Sequence, residues 1–343
     1  MENHPSTSTG DRAKFAIVLV GSNVTAIAAE LAVLEGGYPK AIAIARRGAT
    51  TRLPVLPDSN PLVDSMKYLR DFGARKKIGK FNRRVDEIVG GEPFDCFIHH
   101  SMAPFSQVLT AHPLCRRYFY LEEGVTAMVG GQFGRTKKRW LKRTLWKIRS
   151  QLFFGGIVDK YRPFFDVNDP KYGGVCALSQ AAFADFPNRI QLPFKELAAT
   201  VPVPAEAMVF VDSQHILGNC TTDEYLTALK DALTAVLPSP TTVAIKFHPA
   251  EKDPARRSRF IGEISALPCV SSLVELPLDY VAERMAFDPS TKIFIGTSSL
   301  GFYTGERGFQ TYTFAPRIAA ASPKFAAVME AFPKQFIEVC TPA

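Results

Sequence analysis

The 343-residue chain contains no apolar run near the ~18–20 residues that a bilayer-crossing helix requires. Its opening residues, MENHPSTSTGD, lack the hydrophobic core of a secretory signal, and a disordered tail is expected over 1–12. Six cysteines are scattered with no CxxC pair, which argues against a zinc ribbon, a thioredoxin-like redox site and a disulfide framework, and fits buried thiols in a reducing cytosol. The six histidines show no HExxH, so a metal hydrolase is disfavoured. No GxGxxG follows the first apolar strand and no GxxxxGK[ST] occurs, which disfavours NAD-dependent and P-loop enzymes. Acidic residues are the minority charge, 33 against 41 basic. The resulting net charge of +8 points to an anionic partner: a nucleotide, an acidic glycan, a nucleic acid or an anionic lipid surface.

Against those absences stands an ordinary globular composition, 46% apolar and 22% charged, enough for one large or two medium domains. Residues 14–20, KFAIVLV, read as a strand buried on both faces. Gly21-Ser22-Asn23 then turns into a helical pattern over 24–34, and Asn23 is a candidate for contacting an acceptor. Further strands are expected at 40–45, 96–99, 117–121 and 174–178, with a helix at 61–72. After a Pro/Ala-rich linker, placed at 196–207, the pattern restarts. Strands are expected at 208–211, 242–247 and 291–295, helices at 223–237 and 257–266, and a closing helical segment within 321–343 that returns to the first domain. Alternation of this kind implies α/β domains with largely parallel sheets, 13–195 and 208–320, whose strand ends face a central cleft.

Three short motifs fall at expected strand ends: Glu122-Glu123-Gly124, Lys246-Phe247-His248-Pro249 and Gly296-Thr297-Ser298-Ser299. Each alone is weak, since an acidic pair can be a solvated turn, His-Pro can simply stop a strand, and Ser-Ser can cap a helix. Together they suit group transfer from a phosphate-linked donor. Ser298 and Ser299 would offer hydroxyls to a phosphate at a helix start. His248, its backbone fixed by Pro249, would donate to the leaving phosphate. Glu123 would take the proton of an attacking hydroxyl, its pKa raised beside Glu122, and Gly124 would allow close approach.

The trio, in this order, resembles the bacterial sialyltransferases and polysialyltransferases. That resemblance implies a GT-B fold of two Rossmann-like domains and inverting transfer of sialic acid from CMP-sialic acid to a glycan hydroxyl, without metal or other cofactor. Carried over by position, it implies Glu123 as general base, His248 as acid or donor to the CMP phosphate, and Ser298 and Ser299 as phosphate ligands. It also implies a carboxylate for the ribose hydroxyls: Glu275, with Asp279 as competitor. Where many relatives have aspartate as the base, this chain has the longer Glu123. Alternatives are a related transferase using CMP-Kdo, and a non-catalytic glycan- or lipid-binding protein on the same scaffold.

Beyond the trio, His99 and His100 close a strand of the first domain where an acceptor would bind, unless one merely packs or caps. Ser213 and Gln214, after Asp212, are candidates for touching the nucleotide, a plain turn being equally compatible. The segment from Arg135 to Arg149 holds eight cations: Arg135, Lys137, Lys138, Arg139, Lys142, Arg143, Lys147 and Arg149. Leu141, Leu145, Ile148 and Leu152 share one helical face beside Trp140 and Trp146. Such a helix suits an anionic membrane surface or an acidic acceptor chain, or its stripe docks on the protein's own core. Nucleic acid is disfavoured for want of a recognition motif. The expected partners are CMP-sialic acid and a glycan acceptor that can be lipid-linked. The expected location is cytoplasmic, on or near the inner membrane face.

Overall fold

The computed structural model describes residues 13–45, 49–57, 59, 73–128, 140–194, 201–202 and 205–343, with backbone only at 140–143 and 201–202. The tail, the helix expected at 61–72, most of the expected linker, and Arg135, Lys137, Lys138 and Arg139 lie outside the described residues, as do the side chains of Lys142 and Arg143. Among the described residues there are two compact units. The first holds 13–123, 140–177 and 185–192, and the second 124–128, 178–184 and 193–343.

The first unit is built on β1, Phe15–Val20, whose six residues are all buried. Apolar residues on both faces mark a strand covered on both sides. Around it lie β2 (Lys40–Ala45), β3 (Phe94–Ile98), β4 (Cys115–Leu121), β5 (Tyr172–Ala177) and β6 (Arg189–Gln191). All pair in parallel, in the order β2-β1-β3-β4-β5-β6. Helix α1 (Asn23–Gly36) begins at a Ser22–Thr25 capping box and ends at Gly37, where φ of 62° suits glycine. Its buried residues include Ile27 and three alanines, Ala26, Ala28 and Ala29, whose methyl side chains take little space against the sheet. Helix α2 (Ala74–Val89) buries Ile78, Phe81, Val85 and Val89 at three- and four-residue spacing. Helices α3 (Pro104–Ala111) and α4 (Trp140–Phe154) also belong to the unit. Because β1 lies between β2 and β3, connections leave it in opposite directions, making a switch point at the carboxyl ends of β1 and β3.

The second unit repeats the plan. Its strands are β7 (Ala207–Val211), β8 (Thr241–Phe247), β9 (Val270–Glu275), β10 (Lys292–Ile295), β11 (Gln310–Thr313) and β12 (Thr341–Pro342). They form a parallel sheet in the order β9-β8-β7-β10-β11-β12. Here the switch point falls between β7 and β10. Helix α5 (Thr222–Val236) starts at a Thr221–Glu224 capping box with Asp223 and Glu224 in its first turn, where acidic groups favour the helix dipole. Helices α6 (Pro254–Ser265), α7 (Leu300–Glu306), α8 (Ala315–Ala321), α9 (Pro323–Glu330) and α10 (Gln335–Val339) follow. Val209, Val211, Tyr225, Leu229, Ile245, Phe247, Phe260 and Phe314 form a continuous core. A short parallel pair, Val201–Pro202 with Met285–Ala286, lies apart from the main sheet.

Two details differ from the sequence reading. The single closing helix is two, α9 and α10, interrupted at Phe332-Pro333, because proline lacks the N–H that an interior helical position donates. Both helices and β12, which pairs with β11, belong to the second unit. All six cysteines are free thiols and buried.

Candidate functional site

In the first unit the candidate residues converge on the switch point. The backbone N–H of Glu122 donates to the carbonyl of Cys176 (3.1 Å), carrying the β4–β5 pairing one residue past the strand. Glu122 is fully buried, whereas Glu123 is half-buried. The end of β3 supplies His99, buried, and His100, half-buried, with rings edge-to-face at 4.3 Å between centroids. The parallel register pairs Ile98 with Tyr120, so the residues that follow each strand run on side by side. Potential ligand atoms of His99, His100 and Glu123 lie within 4.8 Å of one another. Gly21, after β1, closes the group: a Cβ added there would stand 3.4 Å from His99 Cε1 and 3.5 Å from Glu123 Oε1. Glu123, His99 and His100, read separately from the sequence, therefore lie together in one cluster.

Two imidazoles and a carboxylate are also a donor set that divalent transition metals accept. Two ligands on one zinc ion, each at ~2.1 Å, stand no more than ~4.2 Å apart. The trio can hold such an ion if it closes slightly. Asn23, the first residue of α1, is engaged elsewhere: its Oδ1 accepts from the backbone N–H (3.3 Å) and hydroxyl (3.5 Å) of Thr50.

In the second unit, His248 follows β8 and its backbone N–H donates to Val211 on β7 (2.9 Å). The N–H of Ala250 donates to His248 Nδ1 (3.1 Å). With Nδ1 accepting, a neutral ring carries its proton on Nε2 and presents a donor there. Although His248 is exposed, desolvation by the chain around it lowers its pKa. Asp212 opposes that shift, while Lys246 and His215 add to it. The neutral donor form is thus the one present near pH 7.

Ser298 and Ser299, both half-buried, follow β10 and precede α7. The loop carrying them is held by Asp212. This buried carboxylate follows β7 and accepts from the backbone N–H of Thr297 (2.7 Å) and of Gln214 (3.1 Å). Burial raises the Asp212 pKa, and those two N–H groups act against the rise. A Cβ at Gly296 would fall 2.2 Å from Asp212 Oδ2, so glycine is needed for the carboxylate to reach Thr297. Gln214 Nε2 donates to Thr297 Oγ1 (2.8 Å), and its own Oε1 accepts from Asn219 (2.7 Å). Gln214 is therefore engaged in bracing the same loop, and half-buried Ser213 lies beside it. Gly124 adopts φ of 55°, and a Cβ there would approach Ser299 Oγ to 3.1 Å.

The bracing by Asp212 was not legible as such. The sequence placed Asp212 only as a neighbour of candidate nucleotide contacts, though a lone aspartate after a first strand was a usable signal. Glu275, at the end of edge strand β9, forms an ion pair with Arg257 on α6 (2.9 Å). Pro249 follows His248 and is exposed.

The basic helix resolves the question of which face docks. Trp146, Ser150 and Phe154 turn inward: Phe154 is 1% exposed and stacks on Trp146 at 5.9 Å, and Ser150 Oγ donates to Val158. Leu145, Ile148 and Leu152 are exposed, so these three members of the stripe do not pack on the core, and Trp146 is not part of it; the side chains of Trp140 and Leu141 lie outside the described residues.

No family model and no curated protein sequence matches the chain. Among solved structures, S. aureus MnaA in complex with UDP is similar at 11% identity and TM-score 0.42, over 93% of this chain and 90% of that one. UDP-GlcNAc 2-epimerase from Neisseria meningitidis, bound to UDP-GlcNAc, is similar at 11% identity and TM-score 0.40, over 94% and 91%. MurG from Acinetobacter baumannii follows at 12% identity and TM-score 0.35, over 92% and 83%. Likenesses this distant carry no argument about chemistry. The architecture rests on the chain's own topology: two α/β units, each a six-stranded parallel sheet flanked by helices, as the expected two-Rossmann fold requires.

Proposed function

We propose that the protein is an inverting glycosyltransferase that moves sialic acid from CMP-sialic acid to a glycan hydroxyl, acting in the cytoplasm without a metal. The observation that carries this reading is the state of His248: its Nδ1 is taken by a backbone N–H, so a neutral ring offers an Nε2 donor at the end of a parallel strand. In the same unit, Ser298 and Ser299 stand on a loop pinned by Asp212 at the switch point. A phosphate needs such donors, held in place before it arrives.

In the proposed reaction, Glu123 removes the proton from the acceptor hydroxyl as its oxygen bonds to the anomeric carbon. The bond from that carbon to the phosphate oxygen of CMP breaks with inversion. The negative charge left on the phosphate is met by the Nε2 hydrogen of His248 and the hydroxyls of Ser298 and Ser299. His99 and His100, grouped with Glu123, suit orientation of the acceptor and of the base itself. Phosphate donors do not distinguish one CMP-linked ulosonic acid from another, so CMP-Kdo is the competing donor.

The test is CMP release from CMP-sialic acid, without added metal, against a panel of galactosides and sialosides, with CMP-Kdo in parallel. Acceptor-stimulated release from CMP-sialic acid is expected. Release from CMP-Kdo alone would move the donor, and CMP binding with no release from either would favour a non-catalytic binding protein.

A further inference from the structure

We propose that the outward face of α4 is a docking surface for an anionic lipid membrane. Leu145, Ile148 and Leu152 are 65%, 55% and 63% exposed, and their spacing of three and four residues puts them on one side of the helix. Among the described residues, no other helix or strand named above carries more than one exposed large apolar side chain. Isolated exposed leucines are ordinary; an aligned set on one helix is not.

The helix is fixed from its other side. Phe154 is buried, Trp146 stacks on it, and Lys160 Nζ lies 4.5 Å from the Trp146 ring centroid. Arg75 of α2 donates to the Gln151 carbonyl (2.8 Å). A helix tethered along Trp146, Ser150 and Phe154 therefore holds its apolar stripe outward rather than rolling it under.

Charge selects the occupant. Helix α4 contains no acidic residue, and Lys147 and Arg149 are exposed beside the stripe. The helix sequence also contains Lys142 and Arg143, and the sequence before it adds Arg135, Lys137, Lys138 and Arg139. A second copy of this chain would bring like charge against like charge across the two-fold. A soluble polyanion would satisfy the cations but gain nothing from three uncovered aliphatic side chains. An anionic lipid surface takes both: acyl chains and glycerol bury the stripe while headgroups pair with the cations. No helix among the described residues is long and apolar enough to cross a membrane, so the contact is one that lies on the surface.

The test is cosedimentation of the full chain with vesicles of phosphatidylcholine alone, or with a third of the lipid replaced by phosphatidylglycerol, at low and high salt. No sugar donor is present, so failure here leaves the transferase reading untouched. Binding is expected to the anionic vesicles only, and to weaken with salt. Replacing Leu145, Ile148 and Leu152 together by serine, and separately Lys147→Glu with Arg149→Glu, are each expected to weaken it by about tenfold or more. All five positions are exposed, and the Arg149 guanidinium also lies 5.5 Å from the Trp146 ring centroid; circular dichroism and melting temperature are recorded for both variants, and Lys147→Glu alone replaces the charge pair if that variant is destabilised. Equal vesicle binding by wild type and the triple serine variant would overturn the proposal. So would absence of vesicle binding accompanied by salt-sensitive binding to dextran sulfate, or by self-association that the serine variant abolishes.

Discussion

His248 is the residue whose chemistry is most constrained by its surroundings. Its Nδ1 is occupied by the Ala250 N–H, and desolvation disfavours the imidazolium. Its NMR titration midpoint is therefore expected below the ordinary histidine value of ~6.5, with Nε2 protonated in the neutral ring. A midpoint at or above that value would contradict the account. The linkage follows in sign: with the folded pKa below the unfolded one, the unfolded chain binds the proton more readily. This group thus costs no stability above ~6.5 and removes stability as pH falls below it. His248→Ala should lower both turnover and CMP affinity. Glu123 raises a separate question, because His99 and His100 give it the neighbours of a metal ligand. If Glu123 acts as the base and binds no metal, EDTA leaves turnover unchanged. Loss of turnover that zinc restores would reassign all three side chains to a metal site.

At the scale of elements, the second unit's site depends on how β7 is tied to the loop after β10. Asp212 bridges them through the Thr297 N–H, and Gly296 leaves the necessary space. Gly296→Ala is expected to destabilise the fold by about 1–3 kcal/mol, as overpacked sites do, and to weaken CMP binding. Adding Asp212→Ser removes the clashing oxygen, so the double variant should be less destabilised than the sum of the two single changes in a denaturant-midpoint cycle. Additive effects would show that the two residues are not coupled.

The strands that anchor both sites were legible because β1, β4 and β8 are dense apolar runs stopped by Gly, acidic or Pro punctuation. Edge strand β9 was not, since VSSLVE is half polar and faces solvent. Helix α2 was overlooked although Ile78, Phe81, Val85 and Val89 mark a stripe, because its charged face dominates its composition. The meeting of His99 and His100 with Glu123 depends on β3 and β4 being neighbours, which spacing alone does not state. The ion pair between Glu275 and Arg257 and the docked face of α4 likewise depend on which helix covers which strand.

At the scale of the molecule, the topology places chemistry in the same way twice. Each unit is a parallel sheet with one reversal of strand order, and the candidate residues gather at or beside the carboxyl ends where that reversal opens the sheet. Glu123 belongs to one unit and His248, Ser298 and Ser299 to the other. The surplus of basic over acidic residues is consistent with a substrate, a surface or both carrying negative charge. The central claim is that Glu123 is the base of CMP-sialyl transfer. The measurement that tests it most directly is acceptor-stimulated CMP release by wild type and Glu123→Gln, with CMP affinity determined for both. The account predicts a loss of about 100-fold or more in turnover with CMP affinity nearly unchanged. A variant retaining more than about a tenth of the wild-type rate would contradict it.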